Sequence, residues 1–425
     1  MRGQRWVAAT LVLLAAAAVG SDVARLQAPQ GERYVNYLEH WPSDFRAVLE
    51  GTRSLLAGND PYRVALGPAK SSPKYFVDGV TYRFNYPPSH LLLYVPIALV
   101  TRNDETAGRI WFHLLLVMLL ALAVVVWRLA DSIVDTPAMA VAALFPLLAI
   151  QPGALLALER GQSDVVLSLL AWWAIAAASR GRWGWATFLA FASALMKPYA
   201  MLLAIGIMSA NVELRQRRAS VIGALAAAAL LLLPVARFLR ESIQSMRPRS
   251  QMFWPSWQNW GLRNVGWSID HPFAEPGRVL FCGLCVVAAV LCWLCLRRAL
   301  RERDASGTTL SLVMFALCAL EALIGGAQTA YSYAMLYLMP GLLVIALTQP
   351  AIAERLELTR RERLLLAPSL LASLVTFWMF RPWWSSTNQP FAGFAAIVLV
   401  WLVLTFATAS LLRRERRPSA PDPAA

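Results

Sequence analysis

The residues that could do chemistry lie in short polar segments between long apolar stretches, and the first of them is Asp44. A carboxylate at this position could act as a general base that takes the proton of an attacking hydroxyl group. It could also serve only as the cap of an amphipathic helix predicted over 47–57. Asp60 lies in an Asn-Asp-Pro turn, where turn formation explains an aspartate, and it is a secondary candidate for the same role.

A second group of polar residues has the types needed to bind an anionic or sugar-bearing substrate. Lys197 lies alone between two short apolar segments, where its ammonium could hold a phosphate or extend to the membrane surface. Arg160 and Gln162 lie in a tight turn, and capping of the next helix explains Asp164 but neither of these two. Tyr86 precedes two prolines, at a depth where aromatic residues usually anchor a membrane protein.

Further candidates lie later in the chain. The segment 237–275 combines tryptophan with amide and guanidinium groups, which can stack on sugars and bind phosphate. Glu321 is an acid in an apolar helix, and it either binds substrate or forms a hydrogen bond to another helix. The remaining candidates are Gln258, Asn259 and Tyr333 for donor binding, with Glu159 and Arg263 as secondary ones.

The apolar stretches between these residues predict an all-α membrane protein. Of the 425 residues, 58% are hydrophobic and only 15% are charged, whereas an ordinary globular protein has about 25% charged residues. Stretches such as 111–126, 221–235, 279–296 and 394–412 are apolar on all sides, as membrane-spanning helices are. This composition excludes a soluble enzyme, a disordered chain, a disulfide scaffold and a β-barrel.

The cysteines superficially suggest a metal site. Cys282, Cys285, Cys292 and Cys295 form two pairs with the spacing found in zinc sites. All four lie on one face of a single predicted helix, with no loop that could fold them around a metal. The pattern therefore indicates helix packing, and we expect no metal site here.

The arginines predict the topology. Nearly all basic residues of this chain, whose net charge is +14, are arginines, and they lie at the ends of the apolar stretches. Basic residues in these places set the orientation of membrane spans and do not indicate nucleic-acid binding. Placing the basic loops in the cytoplasm gives about twelve spans, within a range of 11–13, and both termini inside. The first span has the layout of a signal peptide as well as of a signal anchor, and we expect it to be an anchor. The others lie near 107–127, 137–158, 163–179, 183–196, 198–210, 218–236, 276–296, 308–325, 331–348, 363–380 and 390–412.

This topology puts the candidate residues on the outer side of the plasma (inner) membrane. The chain is predicted to form one membrane domain over 1–412, with external loops 21–106 and 237–275 and a basic cytoplasmic tail 413–425. The run 91–100 is too short to span and is predicted as a re-entrant or interfacial helix. The short cytoplasmic loops carry no nucleotide-binding motif, so an enzyme of this kind would use a donor other than a cytoplasmic nucleotide.

Several short motifs occur in an order that resembles glycosyltransferase family 87. They are Asp44-Phe45, the Gly-Asn-Asp-Pro-Tyr run at 58–62, Tyr86-Pro87-Pro88, Gly161-Gln162, Met196-Lys197-Pro198 and Asn259. The resemblance covers residues 1–265 and implies a polytopic GT-C membrane fold. It also implies inverting transfer of one sugar from a polyprenyl-phosphate donor to a hydroxyl group of a lipid-linked or cell-envelope glycan on the outer face.

The resemblance assigns roles to several residues. Asp44 would be the general base, while Lys197, Gln162 and Asn259 would bind the phosphate or sugar of the donor, without a metal or other cofactor. Members of the family often carry histidines in a late outer turn, where this chain has the run 331–333, Tyr-Ser-Tyr. The donor sugar is therefore left open between mannose and another hexose or pentose.

The expected partners are the polyprenyl-phosphate sugar, a lipid or glycan acceptor and membrane lipids, with no nucleic acid. Two alternatives stay open at this point. One is a transporter or flippase of lipid-linked glycans, although the sequence shows no clear repeat halves. The other is a membrane scaffold without catalytic activity, in which Asp44 and Lys197 could be replaced without consequence.

Overall fold

The computed structural model describes residues 43–62, 86–131, 157–158, 161–211, 213–245 and 274–327, together with residues 359, 404 and 408. Every regular element in this part of the chain is helical, in agreement with the predicted all-α class. The helices are α1 (Ser43–Leu56), α2 (Pro88–Val100), α3 (Asp104–Asp131), α4 (Asp164–Ser179), α5 (Trp183–Met196), α6 (Pro198–Ala210), α7 (Leu214–Leu232), α8 (Leu239–Ser245), α9 (Ala274–Glu302) and α10 (Ala305–Ala327).

Within the described residues, three helical stretches are long and apolar enough to cross a membrane. They are Asp104–Leu129, Leu214–Ser242 and Gly283–Glu302, and shorter apolar helices pack beside them. These features are those of a multi-pass membrane protein. The predicted N-terminal span and the spans near 137–158, 331–348, 363–380 and 390–412 lie outside the described residues, apart from residues 157, 158, 404 and 408.

The predicted break between α5 and α6 is present. Proline disfavours a helical conformation in the residue before it, and Lys197 is extended, with φ −145° and ψ 135°. The helix α5 therefore ends at Met196, and α6 begins with a 3-10 turn at Pro198–Ala200. Because of this break, Lys197 lies between two helices and its side chain is not part of either helix surface.

The helices pack around a shared apolar core. Helix α4 contacts α3 and α5, and α5 contacts α7. A Cβ atom at Gly223 of α7 would overlap the carbonyl oxygen of Gly184 in α5, so these glycines allow the two backbones to approach closely. Helices α9 and α10 pack on each other, and α10 also contacts α4 and α6. Cys285, Cys292 and Cys295 of α9 are buried, as expected for helix packing.

Helices α1 and α2 lie at the end of the bundle where α3 begins and α5 ends. Arg53 of α1 forms an ion pair with Asp104 of α3, at 2.5 Å between Nη1 and Oδ1. Ser89 of α2 donates a hydrogen bond to the carbonyl oxygen of Leu195 in α5, at 2.5 Å. The segments that the sequence places on one side of the membrane therefore meet at one end of the bundle.

Candidate functional site

Four polar side chains are joined by hydrogen bonds at this end of the bundle. Lys197 Nζ donates to Asp164 Oδ2 at 2.7 Å and to Gln162 Oε1 at 3.3 Å. Gln162 Nε2 donates to the hydroxyl oxygen of Tyr86 at 3.2 Å. Gln162, Asp164 and Lys197 are buried, and Tyr86 is half-buried. We call these four residues the polar cluster.

The turn before α4 positions Gln162 and Asp164. Gly161 has φ +64°, a conformation that favours glycine, and this lets the chain reverse into α4. The Gln162 N–H donates to the carbonyl oxygen of Ala157 at 2.7 Å. Asp164 is the first residue of α4, where the helix dipole favours a negative charge. From α3, Trp111 Nε1 donates to the carbonyl oxygen of Gly161 at 2.8 Å and ties the turn to the bundle.

Tyr86 is held through its backbone, its ring and its hydroxyl group. The His90 ring stacks on the Tyr86 ring, with centroids 4.6 Å apart and planes 11° apart. His90 Nε2 lies 3.2 Å from Ser163 Oγ. The Tyr62 hydroxyl donates to the Tyr86 carbonyl oxygen at 2.8 Å, and the Lys197 ammonium lies 5.2 Å from the centre of the Tyr86 ring. Such restraints leave the Tyr86 hydroxyl little freedom before a substrate arrives.

The residue after Asp44 anchors the first turn of α1 near the polar cluster. Phe45 is fully buried, and its ring lies 6.0 Å from the Trp111 ring and 5.8 Å from the Tyr94 ring. Trp111 also bonds to Gly161, the neighbour of Gln162 in the chain. Two contacts therefore connect the backbone beside Asp44 to the polar cluster. The Asp44 side chain lies outside the described residues.

Asp60 shapes the turn that follows α1. Gly58, with φ +80°, ends the helix, and Asp60 Oδ1 then accepts a hydrogen bond from the Tyr62 N–H at 2.9 Å. This confirms the turn predicted from Asn-Asp-Pro. The turn aims Tyr62 at the Tyr86 backbone, and burial raises the pKa of Tyr62, so its hydroxyl stays a neutral donor.

The structure thus brings together three of the predicted substrate-binding residues, Tyr86, Gln162 and Lys197. The Lys197 ammonium is directed at a buried carboxylate and not at the membrane surface. Glu321 lies in α10, and its side chain is outside the described residues. The other candidates, Glu159, Arg160, Gln258, Asn259, Arg263 and Tyr333, also lie outside the described part of the chain.

Asp164 and His90 were not predicted as site residues. The helix dipole is a sufficient local explanation for Asp164, so its position in the sequence does not indicate a charged partner. The signal that could have found the pair is the lysine itself, because an ammonium among apolar segments requires a counter-charge. His90 gave no signal of this kind, because its stacking on Tyr86 follows from the packing of the short helix α2.

The burial of His90 predicts that the stability of the folded protein decreases at acidic pH. Burial, and then the Lys197 ammonium, hold the pKa of His90 well below its ordinary value of 6.5. Below pH 6.5, His90 is protonated in the unfolded chain but stays neutral in the folded protein. The free energy of unfolding therefore falls as the pH falls, by up to about 1.4 kcal/mol per pH unit. His90→Phe keeps a ring against Tyr86 and cannot titrate. We expect its thermal unfolding, followed from pH 7.5 to 4.5, to lose this part of the wild-type slope, and parallel curves would contradict the assignment.

Comparison with known proteins places this site in a family. The model of glycosyltransferase family 87 matches residues 84–324, which include the whole polar cluster, while Asp44 precedes the match. No curated protein matches the chain. Among solved structures, ArnT from Cupriavidus metallidurans in the apo state matches with 14% identity and a TM-score of 0.41, over 97% of this chain and 78% of that one. Because the family model covers more than half of the chain, the protein belongs to glycosyltransferase family 87 and is a membrane glycosyltransferase.

Proposed function

We propose that this enzyme has a GT-C fold and transfers one sugar from a polyprenyl phosphate to a hydroxyl group of a lipid-linked or cell-envelope glycan. Transfer takes place on the outer face of the plasma membrane and inverts the configuration of the anomeric carbon. Membership of the family supports sugar transfer and favours it over the transporter and scaffold that the sequence left open. The donor sugar is mannose or another hexose or pentose.

One observation carries the proposal. The first turn of α1, which contains Asp44, is packed through Phe45 onto Trp111, and Trp111 bonds to the turn that presents Gln162. The helix turn that carries a candidate base is therefore tied to the cluster of candidate sugar-binding groups, although Gln162 and Lys197 lie more than a hundred residues after Asp44 in the sequence. A glycosyltransferase requires this arrangement because the acceptor hydroxyl must attack the donor where the donor is held.

The chemistry assigned to the site is one displacement with one proton transfer. Asp44 takes the proton from the acceptor hydroxyl group while the oxygen of that hydroxyl group forms a bond to the anomeric carbon of the sugar. The bond from that carbon to the phosphate oxygen breaks, and polyprenyl phosphate leaves with the bonding electrons. Tyr86 and Gln162 contribute the donor side of the site, where hydrogen bonds orient the sugar. The leaving group is already stable as an anion, so the mechanism requires no metal.

The test is sugar transfer by the purified protein in lipid. Radiolabelled polyprenyl phosphates carrying mannose, other hexoses or a pentose are offered with a crude extract of membrane lipids and glycans. We expect one donor to support transfer and the product to have the opposite anomeric configuration. Transfer from none of these donors, or transfer from nucleotide sugars alone, would contradict the proposal.

A further inference from the structure

The ion pair inside the polar cluster is the most strongly buried charged feature among the described residues. Lys197 Nζ lies 2.7 Å from Asp164 Oδ2, and the side chains of the two residues are 5% and 0% exposed. The second carboxylate oxygen, Asp164 Oδ1, is buried and has no hydrogen-bond partner among the described residues. The carboxylate therefore directs its side-chain interaction at the lysine alone.

We infer that Lys197 and Asp164 are positioning residues, whose ion pair orients the Gln162 amide and through it the Tyr86 hydroxyl, and that Lys197 does not bind the donor phosphate. This inference rests on the proposed function for the identity of the donor. It assigns a role to Asp164, and it replaces the phosphate-binding role that the family resemblance implies for Lys197.

The first argument concerns charge. The Lys197 ammonium is already compensated by a carboxylate at hydrogen-bond distance. A phosphate bound to the same ammonium would lie close to the Asp164 carboxylate, inside a buried site where like charges repel strongly. The Asp164 carboxylate next to the ammonium weakens the attraction between Lys197 and a phosphate. The same carboxylate fixes the orientation of the ammonium through a short, charge-assisted hydrogen bond.

The second argument concerns the direction of the hydrogen bonds. An ammonium can only donate, so the Gln162 atom that faces Lys197 is the oxygen, Oε1, at 3.3 Å. The Gln162 nitrogen then faces Tyr86 and donates to its hydroxyl oxygen at 3.2 Å. The Tyr86 hydroxyl can in turn donate to Gln162 Oε1 at 3.4 Å, so both groups of the amide hold it. When the donor binds, the proposed role of this hydroxyl is a hydrogen bond to an oxygen of the sugar. Tyr86 suits this contact because it is the half-buried member of the polar cluster.

The test replaces both charges at once, in a variant carrying Asp164→Val and Lys197→Met. An apolar pair of similar size usually preserves the stability of a buried ion pair, so this variant should fold. We expect kcat for sugar transfer to fall by about 100-fold, because the Tyr86 hydroxyl is no longer held in place. The KM for the donor should change by less than about threefold. Binding of a short polyprenyl phosphate, relative to the uncharged polyprenol, should keep its wild-type preference.

Each alternative gives a different result. A variant that loses the preference for polyprenyl phosphate over polyprenol would show that Lys197 binds the phosphate, and one with wild-type kcat would show that the pair serves the fold alone. Either result overturns the inference.

If the double variant does not fold, the variant Gln162→Met tests the inference instead, since it keeps the ion pair and removes the amide. It should also lower kcat and leave the phosphate preference intact, and wild-type kcat would overturn the inference. Failure of the wild type to use any polyprenyl-phosphate sugar would instead count against the proposed function.

Discussion

Asp44→Asn is expected to lower the rate of sugar transfer by about 10²- to 10⁴-fold, the range in which general bases contribute. Asparagine has the shape of aspartate but cannot take the acceptor's proton. The fold should survive, since α1 is anchored by residues other than Asp44, namely Phe45 on Trp111 and Arg53 on Asp104. The measurement compares single-turnover transfer by the variant and the wild type, together with binding of the donor, which should be unchanged.

Asp60→Asn is the matched control. The same change of charge is made in the same segment, but asparagine keeps the Oδ1 atom that accepts the hydrogen bond from the Tyr62 N–H. Transfer should therefore stay within a few-fold of the wild-type rate. A large loss with Asp60→Asn and a small one with Asp44→Asn would identify Asp60 as the base. Equal losses in both variants would point to charge near the site rather than to proton transfer at one residue.

Much of the helical architecture was predictable, because hydropathy and proline act locally. The predicted segment 183–196 coincides with Trp183–Met196, since Pro198 disfavours a helical conformation at Lys197 and the helix therefore ends at Met196. The predicted segment 107–127 is shorter than Asp104–Asp131. Hydropathy marks the apolar part of a helix, whereas backbone hydrogen bonds continue through the polar turns at both ends.

The site was predictable only in part, because residue types are visible in the sequence and their pairings are not. The side-chain chemistry of Tyr86, Gln162 and Lys197 predicts substrate binding, and the three residues lie in one cluster. The partner of Lys197 was missed because it lies 33 residues away, and the contact depends on how α4 packs against α5. The same packing that hid Asp164 from a local analysis gives it the strongest contact of the polar cluster.

Lys197→Met alone is expected to destabilise the protein by about 3–5 kcal/mol, because it leaves the Asp164 carboxylate buried without a counter-charge. The other oxygen of that carboxylate has no hydrogen-bond partner in the described part of the chain, so no contact described there compensates for the lost ammonium. Adding Asp164→Val should restore most of the loss by removing the unpaired charge. The measurement is thermal or denaturant unfolding of the purified variants in lipid, followed together with the wild type.

An exposed ion pair supplies the control for this prediction. Arg109 and Glu105 of α3 form a bridge at 2.6 Å, but their side chains are 70% and 73% exposed. Arg109→Met makes a similar substitution and should cost no more than about 1 kcal/mol, because water solvates the carboxylate that is left. If Lys197→Met costs no more than Arg109→Met, then water or a neighbouring group reaches Asp164. The ion pair could not then hold Gln162 and Tyr86 in the way that the proposed donor-binding role of Tyr86 requires.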